Sequence, residues 1–146
     1  MNNVALITTL LATLGVMALV FAFASYLVGS FGYYKLFTKA GEAGWKGFVP
    51  VYNYYVALKL SWNTNIFWIY LAITIVSSIL GQFEGFVATL GSVVGIAATI
   101  INLVHCLKFS RAFQHGIGYA LGLFFLEPIF LLIMGLGDTQ YVGPQE

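Results

Sequence analysis

Charge is what this chain has least of. In 146 residues there are six Lys and Arg and five Asp and Glu, 8% of the total, where a soluble domain carries about 25%. So little polar surface cannot coat a water-facing globule, and lipid is the solvent the composition calls for. The net charge of +1 supplies no basic stripe, which excludes a nucleic-acid footprint. One cysteine, Cys106, excludes an internal disulfide and leaves the redox compartment open. Pro50, Pro128 and Pro144 are the only prolines, so long helices meet few breaks. No His-Glu-x-x-His, phosphate-binding glycine loop or nucleophile–base–orienter set is present, and no enzyme activity is expected.

What is present is hydrophobic, 60% of the chain, in runs long enough to cross a hydrocarbon core of about 30 Å. The expected fold is all-α, a single transmembrane domain over residues 1–146. It has four spans, at about 4–34, 65–82, 86–107 and 117–136, with a short interfacial helix at about 51–60. Met1-Asn2-Asn3 lacks a positive n-region and the first apolar run exceeds a signal sequence, so that helix is expected to be retained. The cations lie in two stretches, Lys35, Lys39, Lys46 and Lys59, then Lys108 and Arg111. By the positive-inside rule both face the cytoplasm, which predicts an N-out, C-out topology. Lys46 and Lys59 are expected to snorkel from the interfacial helix to lipid headgroups. An offset of 72 residues relates Phe37-Thr38-Lys39-Ala40 to Phe109-Ser110-Arg111-Ala112. Either a duplication or a shared need for a small, cationic helix boundary accounts for it.

Glu127 carries the sharpest chemical claim. It lies about 15 Å into the fourth span, where an ionised carboxylate costs at least about 2.5–3.5 kcal/mol. It must be protonated, paired or in a wet cavity. By depth its hydrogen-bonding neighbours are Ser25, Thr74, Ser77, Ser78 and Thr99, and a neutral side chain is expected. The functional alternative is a proton or cation site in a transport path. Pro128 follows directly and is expected to kink the span. Asn102, His105, Cys106 and His115 lack the acid or second thiol of a tetrahedral metal set, so no cofactor is expected. Gly91-x-x-x-Gly95, Gly118-x-x-x-Gly122 and Ser77-x-x-x-Gly81 permit close helix packing, within the bundle first.

The run Phe37-Thr38-Lys39-Ala40-Gly41-Glu42-Ala43-Gly44-Trp45-Lys46-Gly47-Phe48-Val49-Pro50-Val51-Tyr52-Asn53 resembles a signature of small bacterial multi-pass membrane proteins of unknown function. The likeness extends over roughly residues 33–141. It departs at Gln114-His115, where a Gly-Lys-like pair is expected. The resemblance implies a bacterial inner membrane and assigns no catalytic residue. A partner or lipid surface on the cytoplasmic face would use Lys39, Trp45, Lys46, Pro50, Tyr52, Asn53 and Arg111. The expected partners are membrane lipids, other membrane subunits or further copies of the chain. The expected function is that of a non-catalytic accessory or scaffold subunit, the alternative a small transporter or channel component built around Glu127.

Overall fold

The computed structural model describes residues 2–145 and is all-α. Its elements are α1 (Asn3–Lys39), a 3-10 helix (Gly44–Phe48), α2 (Tyr52–Ser61), α3 (Thr64–Leu80), α4 (Phe86–Ala112), α5 (Ile117–Phe125) and α6 (Glu127–Leu136). Two of them, α1 and α4, are long and apolar enough to cross a membrane.

Helix α1 begins where the Asn2 side chain accepts from the Ala5 amide, satisfying one of the free N–H groups at a helix start. It ends in a Schellman turn: Gly41 takes a positive φ of 81°, while Glu42 N–H donates to Phe37 O and Gly41 N–H to Thr38 O. Helices α3 and α4 form an antiparallel hairpin sealed by small residues. Ser77 Oγ donates to Gly91 O, and a Cβ on Gly91 would stand 2.9 Å from the Gly81 amide nitrogen. Gly91, Gly95, Ser77 and Gly81 therefore serve packing inside the chain.

The predicted fourth span, 117–136, is not one helix. It breaks at Leu126 (φ −133°, ψ 49°) into α5 and α6, which fold back on each other. Gly122 faces the Phe130 ring, Tyr119 meets Phe130 edge to face, His115 pairs with Thr139, and Val142 N–H donates to Ala112 O. Nine and ten residues make arms of only about 15 Å. The expected kink is thus a full reversal. Because Pro128 has no N–H and its ring cannot follow residue 124 in a continuous helix, the chain restarts there, with Glu127 and Pro128 in the first turn of α6.

Residues 44–61 hold the 3-10 helix and then α2, close to the expected 51–60, and both pack against the long helices. The chain descends along α1, with Gly47 against Ser30 O and the Tyr34 amide and Phe48 O accepting from the Tyr26 hydroxyl. It then returns as α2, whose Val56, Ala57, Leu58, Leu60 and Ser61 are buried. Two units of half length, 44–61 and 117–136, thus start and finish at the end of the molecule where Lys39, Lys59 and Arg111 lie.

Helix α6 runs parallel to α1. Gly29 lies against Pro128, Gly32 against Leu131, and Gly135 against Lys35. A Cβ on Gly32 would stand 2.6 Å from the Leu131 carbonyl carbon, so only glycine permits this approach. Lys39 Nζ then donates to Gly137 O at 2.6 Å, placing a cation at the negative end of α6. The core collects at the same end: Phe37, Phe109, Phe113, Val56, Leu131 and Met134 pack together. At the other end, every residue from Asn3 to Ala24 is exposed, a length of about 33 Å. The C-terminal segment lies at this same end, where Val142 N–H donates to Ala112 O and the Tyr141 hydroxyl to Leu60 O.

Candidate functional site

Both half-length units line a cavity at Glu127. It is the first residue of α6, at the tip of the α5–α6 reversal. Tyr33, one level along α1, donates its hydroxyl to Glu127 Oε1 at 2.7 Å. A helical tyrosine leans toward its helix N-terminus, which is why position 33 reaches a residue paired in height with Gly29. Glu127 remains accessible at residue level, because it faces a cavity of about 390 Å³. The walls of that cavity are Ser25, Tyr26, Gly29 and Ser30 of α1, Asn53 and Tyr54 of α2, and Pro128 and Leu131 of α6.

Two of these groups are unusual. The hydroxyls of Ser30 and Tyr54 are buried and have no hydrogen-bond partner. A helical serine ordinarily satisfies itself on the carbonyl four residues back, and an unpaired buried hydroxyl costs about 1–3 kcal/mol. Among the described residues Glu127 is the only charged residue lining the space. The site is therefore acidic and lined by tyrosines.

Ser25 does share this cavity with Glu127, but Thr74, Ser77, Ser78 and Thr99 do not. They line a second cavity of about 370 Å³ between α3 and α4, and their hydroxyls are spent on the carbonyls of Tyr70, Gly91, Thr74 and Gly95. Equal depth on separate helices did not bring them together, because α5 and α6 stand between α1 and the α3–α4 hairpin. A gap of about 10 Å³, lined by Tyr33, Asn102, His105 and Glu127, lies between the two cavities, and Asn102 borders the second as well. The histidine expected at the inner boundary is thus near Glu127. His105 is buried, 3.3 Å from Ser61 Oγ and edge-on to Tyr54.

The residues predicted for a cytoplasmic-face surface divide. Lys39 caps α6 and is not free. Lys46 and Lys59 both bind Glu42, Lys46 at 2.6 Å. Those two ammonium groups hold the Glu42 carboxyl below its ordinary value, and Glu42 in turn raises Lys46. Asn53 turns inward, toward Gly47 O and the Glu127 cavity. Trp45, Pro50 and Tyr52 are exposed with Trp68, and Pro50, Tyr52 and Trp68 border an open groove of about 550 Å³. Arg111 is exposed at the end of α4.

Sequence reasoning did not single out Tyr33 or Tyr54 as site residues, nor Ser30, Gly29 and Gly32 at all. Its one available signal was the small-residue spacing along α1, where Gly29 and Gly32 continue a series through Gly15, Ala18, Ala22 and Ser25. The model of a family of unknown function, DUF5684, matches residues 45–144. The chain belongs to this family. The DUF5684 match begins inside the resembling motif, at Trp45, and takes in α2 to α6, so it holds Glu127, Tyr54 and Asn53 but not the α1 wall of the cavity. No curated protein and no solved structure matches the chain.

Proposed function

We propose that this chain is a non-catalytic integral membrane protein of the bacterial inner membrane, acting as an accessory or scaffold subunit of a larger membrane assembly. In this reading α1, α3 and α4 cross the bilayer. The units 44–61 and 117–136 enter from the cytoplasmic side and leave on it, and the cations mark that side. The N-terminus is outside and the C-terminal tail inside.

The observation that carries the scaffold reading is the small-residue seam of α1. Gly15, Ala18, Ala22, Ser25, Gly29 and Gly32 follow alternating steps of three and four, one face of a helix. On Gly29 and Gly32 that face is covered by α6, whereas Gly15 to Ala22 lies open. In lipid, close backbone packing on small residues is what drives helices together, so the open part fits a helix of another subunit. Purification in mild detergent with mass measurement tests this. A stable complex is expected, lost in Gly15→Leu while the chain itself stays folded. A lone monomer from both proteins overturns the reading.

A second reading, a transporter or channel component, is favoured by the acidic cavity. Glu127 opens a half-length helix, and half-length helices are where transporters hold ions. Cation flux into proteoliposomes is expected to fall in Glu127→Gln, and flux that survives the change removes this reading.

A further inference from the structure

The unit 44–61 leaves one surface that neither the scaffold nor the transport reading uses. Helix α2 buries Val56, Ala57, Leu58, Leu60 and Ser61, and its outward stripe is Tyr52, Tyr55, Lys59 and Trp62. These follow alternating steps of three and four, one face of a helix. Beside the stripe runs the open groove of about 550 Å³, lined by Pro50, Val51, Tyr52, Tyr55, Phe67 and Trp68. Tyr55 meets Phe67 edge to face, and Tyr52 lies between Tyr55 and Trp45. Val51 takes φ 68° and ψ −47°, and Tyr52 N–H donates to Pro50 O at 2.7 Å, the strained hand of a γ-turn. A β-branched residue in that conformation is a marked outlier, and the turn sets Val51 in the groove wall.

The groove and the charge beside it are ordered by depth. Phe48 O accepts from the Tyr26 hydroxyl, so the deep end of the unit lies about 20 Å along α1 from Lys39. Lys59 stands about 10 Å along α2 from Tyr52, toward the cation-bearing end. There Lys46 and Lys59 share one carboxylate, Glu42, which leaves one positive charge uncompensated. Lys59 is exposed, and of the three donors of its ammonium Glu42 takes one. Lys108 lies over the ring of Trp62, the next residue on the stripe. An apolar trough that ends in spare positive charge matches a hydrocarbon chain joined to an anionic head.

We propose that this surface binds an anionic phospholipid of the cytoplasmic leaflet, one acyl chain in the groove and the phosphate on Lys59 and Lys46. Phosphatidylethanolamine would bring an ammonium in need of an acceptor, and Glu42 is already held by two lysines, so the site selects a net negative head. It requires the membrane placement proposed above, with the cations at the cytoplasmic face, and does not depend on a partner subunit.

The test is native mass spectrometry of the full chain in mild detergent, titrated with dioleoylphosphatidylglycerol or dioleoylphosphatidylethanolamine. One retained phosphatidylglycerol per chain is expected, bound about fivefold more tightly than phosphatidylethanolamine, the effect of one lysine near an anionic head. Lys59→Gln leaves Glu42 paired with Lys46 alone and is expected to abolish the preference. Glu42→Gln frees both ammonium groups and is expected to raise it about fivefold again, a gain that a merely structural ion pair would not give. Trp68→Ala removes an exposed wall of the groove and is expected to weaken both lipids severalfold. Equal binding of the two lipids by the wild type, or a preference unmoved by Lys59→Gln and Glu42→Gln, overturns the proposal. Undiminished binding by Trp68→Ala also overturns it, as does a co-purifying protein that this change releases, which gives the groove to another helix. Labelling of Glu84→Cys and Gln145→Cys tests the membrane placement by itself, so a missing lipid preference with that labelling as expected strikes the lipid site alone.

Discussion

Gln114 occupies a position that glycine would fill better. Helix α4 ends in a Schellman turn, with His115 N–H on Ser110 O and Gln114 N–H on Arg111 O, and Gln114 takes φ 64°. The left-handed conformation costs a residue with a Cβ about 1 kcal/mol. Gln114→Gly is therefore expected to raise stability by about 1 kcal/mol, read as a higher melting temperature in detergent; a lower one would refute the assigned turn. The same turn closes α1 with Gly41, one step out of the 72-residue register that relates the two Phe-(Thr/Ser)-(Lys/Arg)-Ala runs. The repeat thus marks two helix ends with the same chemistry.

Glu42 is the other residue with a definite expectation. Its carboxylate accepts from Lys46 and Lys59, which sets it below the ordinary value of 4.5. A carboxylate so depressed adds stability that is complete above its unfolded value and is lost as pH falls through the folded one. Melting temperature is expected to drop in that acid window for the wild type and not for Glu42→Gln. Parallel curves for the two proteins would show that the lysines do not hold this group. Only the fold shows this pairing, because Glu42 and Lys59 sit on opposite flanks of the unit that dips along α1.

Among the elements, α6 decides the architecture. It is ten residues long, too short to hold itself together in isolation, and its stability comes from lying on α1 through Gly29, Gly32 and Gly135. Gly32→Ala places a Cβ against the Leu131 backbone and is expected to cost about 2 kcal/mol, as overpacking does. The same change at Gly15, which has nothing within 4 Å, is expected to leave melting unchanged or raise it by helix propensity alone. Equal effects at both sites would remove the α1–α6 seam. The reversal at Leu126 had a local signature in Glu127-Pro128, an acid and a proline in a first helical turn. Hydrophobicity masked it, because a run of apolar residues looks the same whether it crosses the bilayer or enters and returns.

For the molecule as a whole, the arrangement of the ends follows from those two reversals. Single cysteines at Glu84 and Gln145, in a Cys106→Ala background, are expected to react from opposite sides of the membrane, with Gln145 on the side of Lys39. Labelling of both from one side would restore a crossing fourth helix. The packed core lies wholly toward the cation-bearing end, and the far half of α1 stands apart from every other element. That uneven distribution is why the proposed partner belongs on the half of α1 that stands apart.

Composition and the run lengths alone determined that the chain is helical, that its apolar runs are long enough to span a membrane and that Glu127 interrupts one of them. These are properties of residue content and do not depend on how the helices are arranged. The cation clusters likewise mark one end of the molecule. Only the tertiary structure decided which segments reverse, what Glu127 touches and where the C-terminal tail lies. Depth can be counted along a helix at 1.5 Å per residue, but neighbours cannot. Whether Thr74 or Tyr33 meets Glu127 depends on which backbones approach, and that is governed by glycines spaced along α1 and α6, almost a hundred residues apart in the chain.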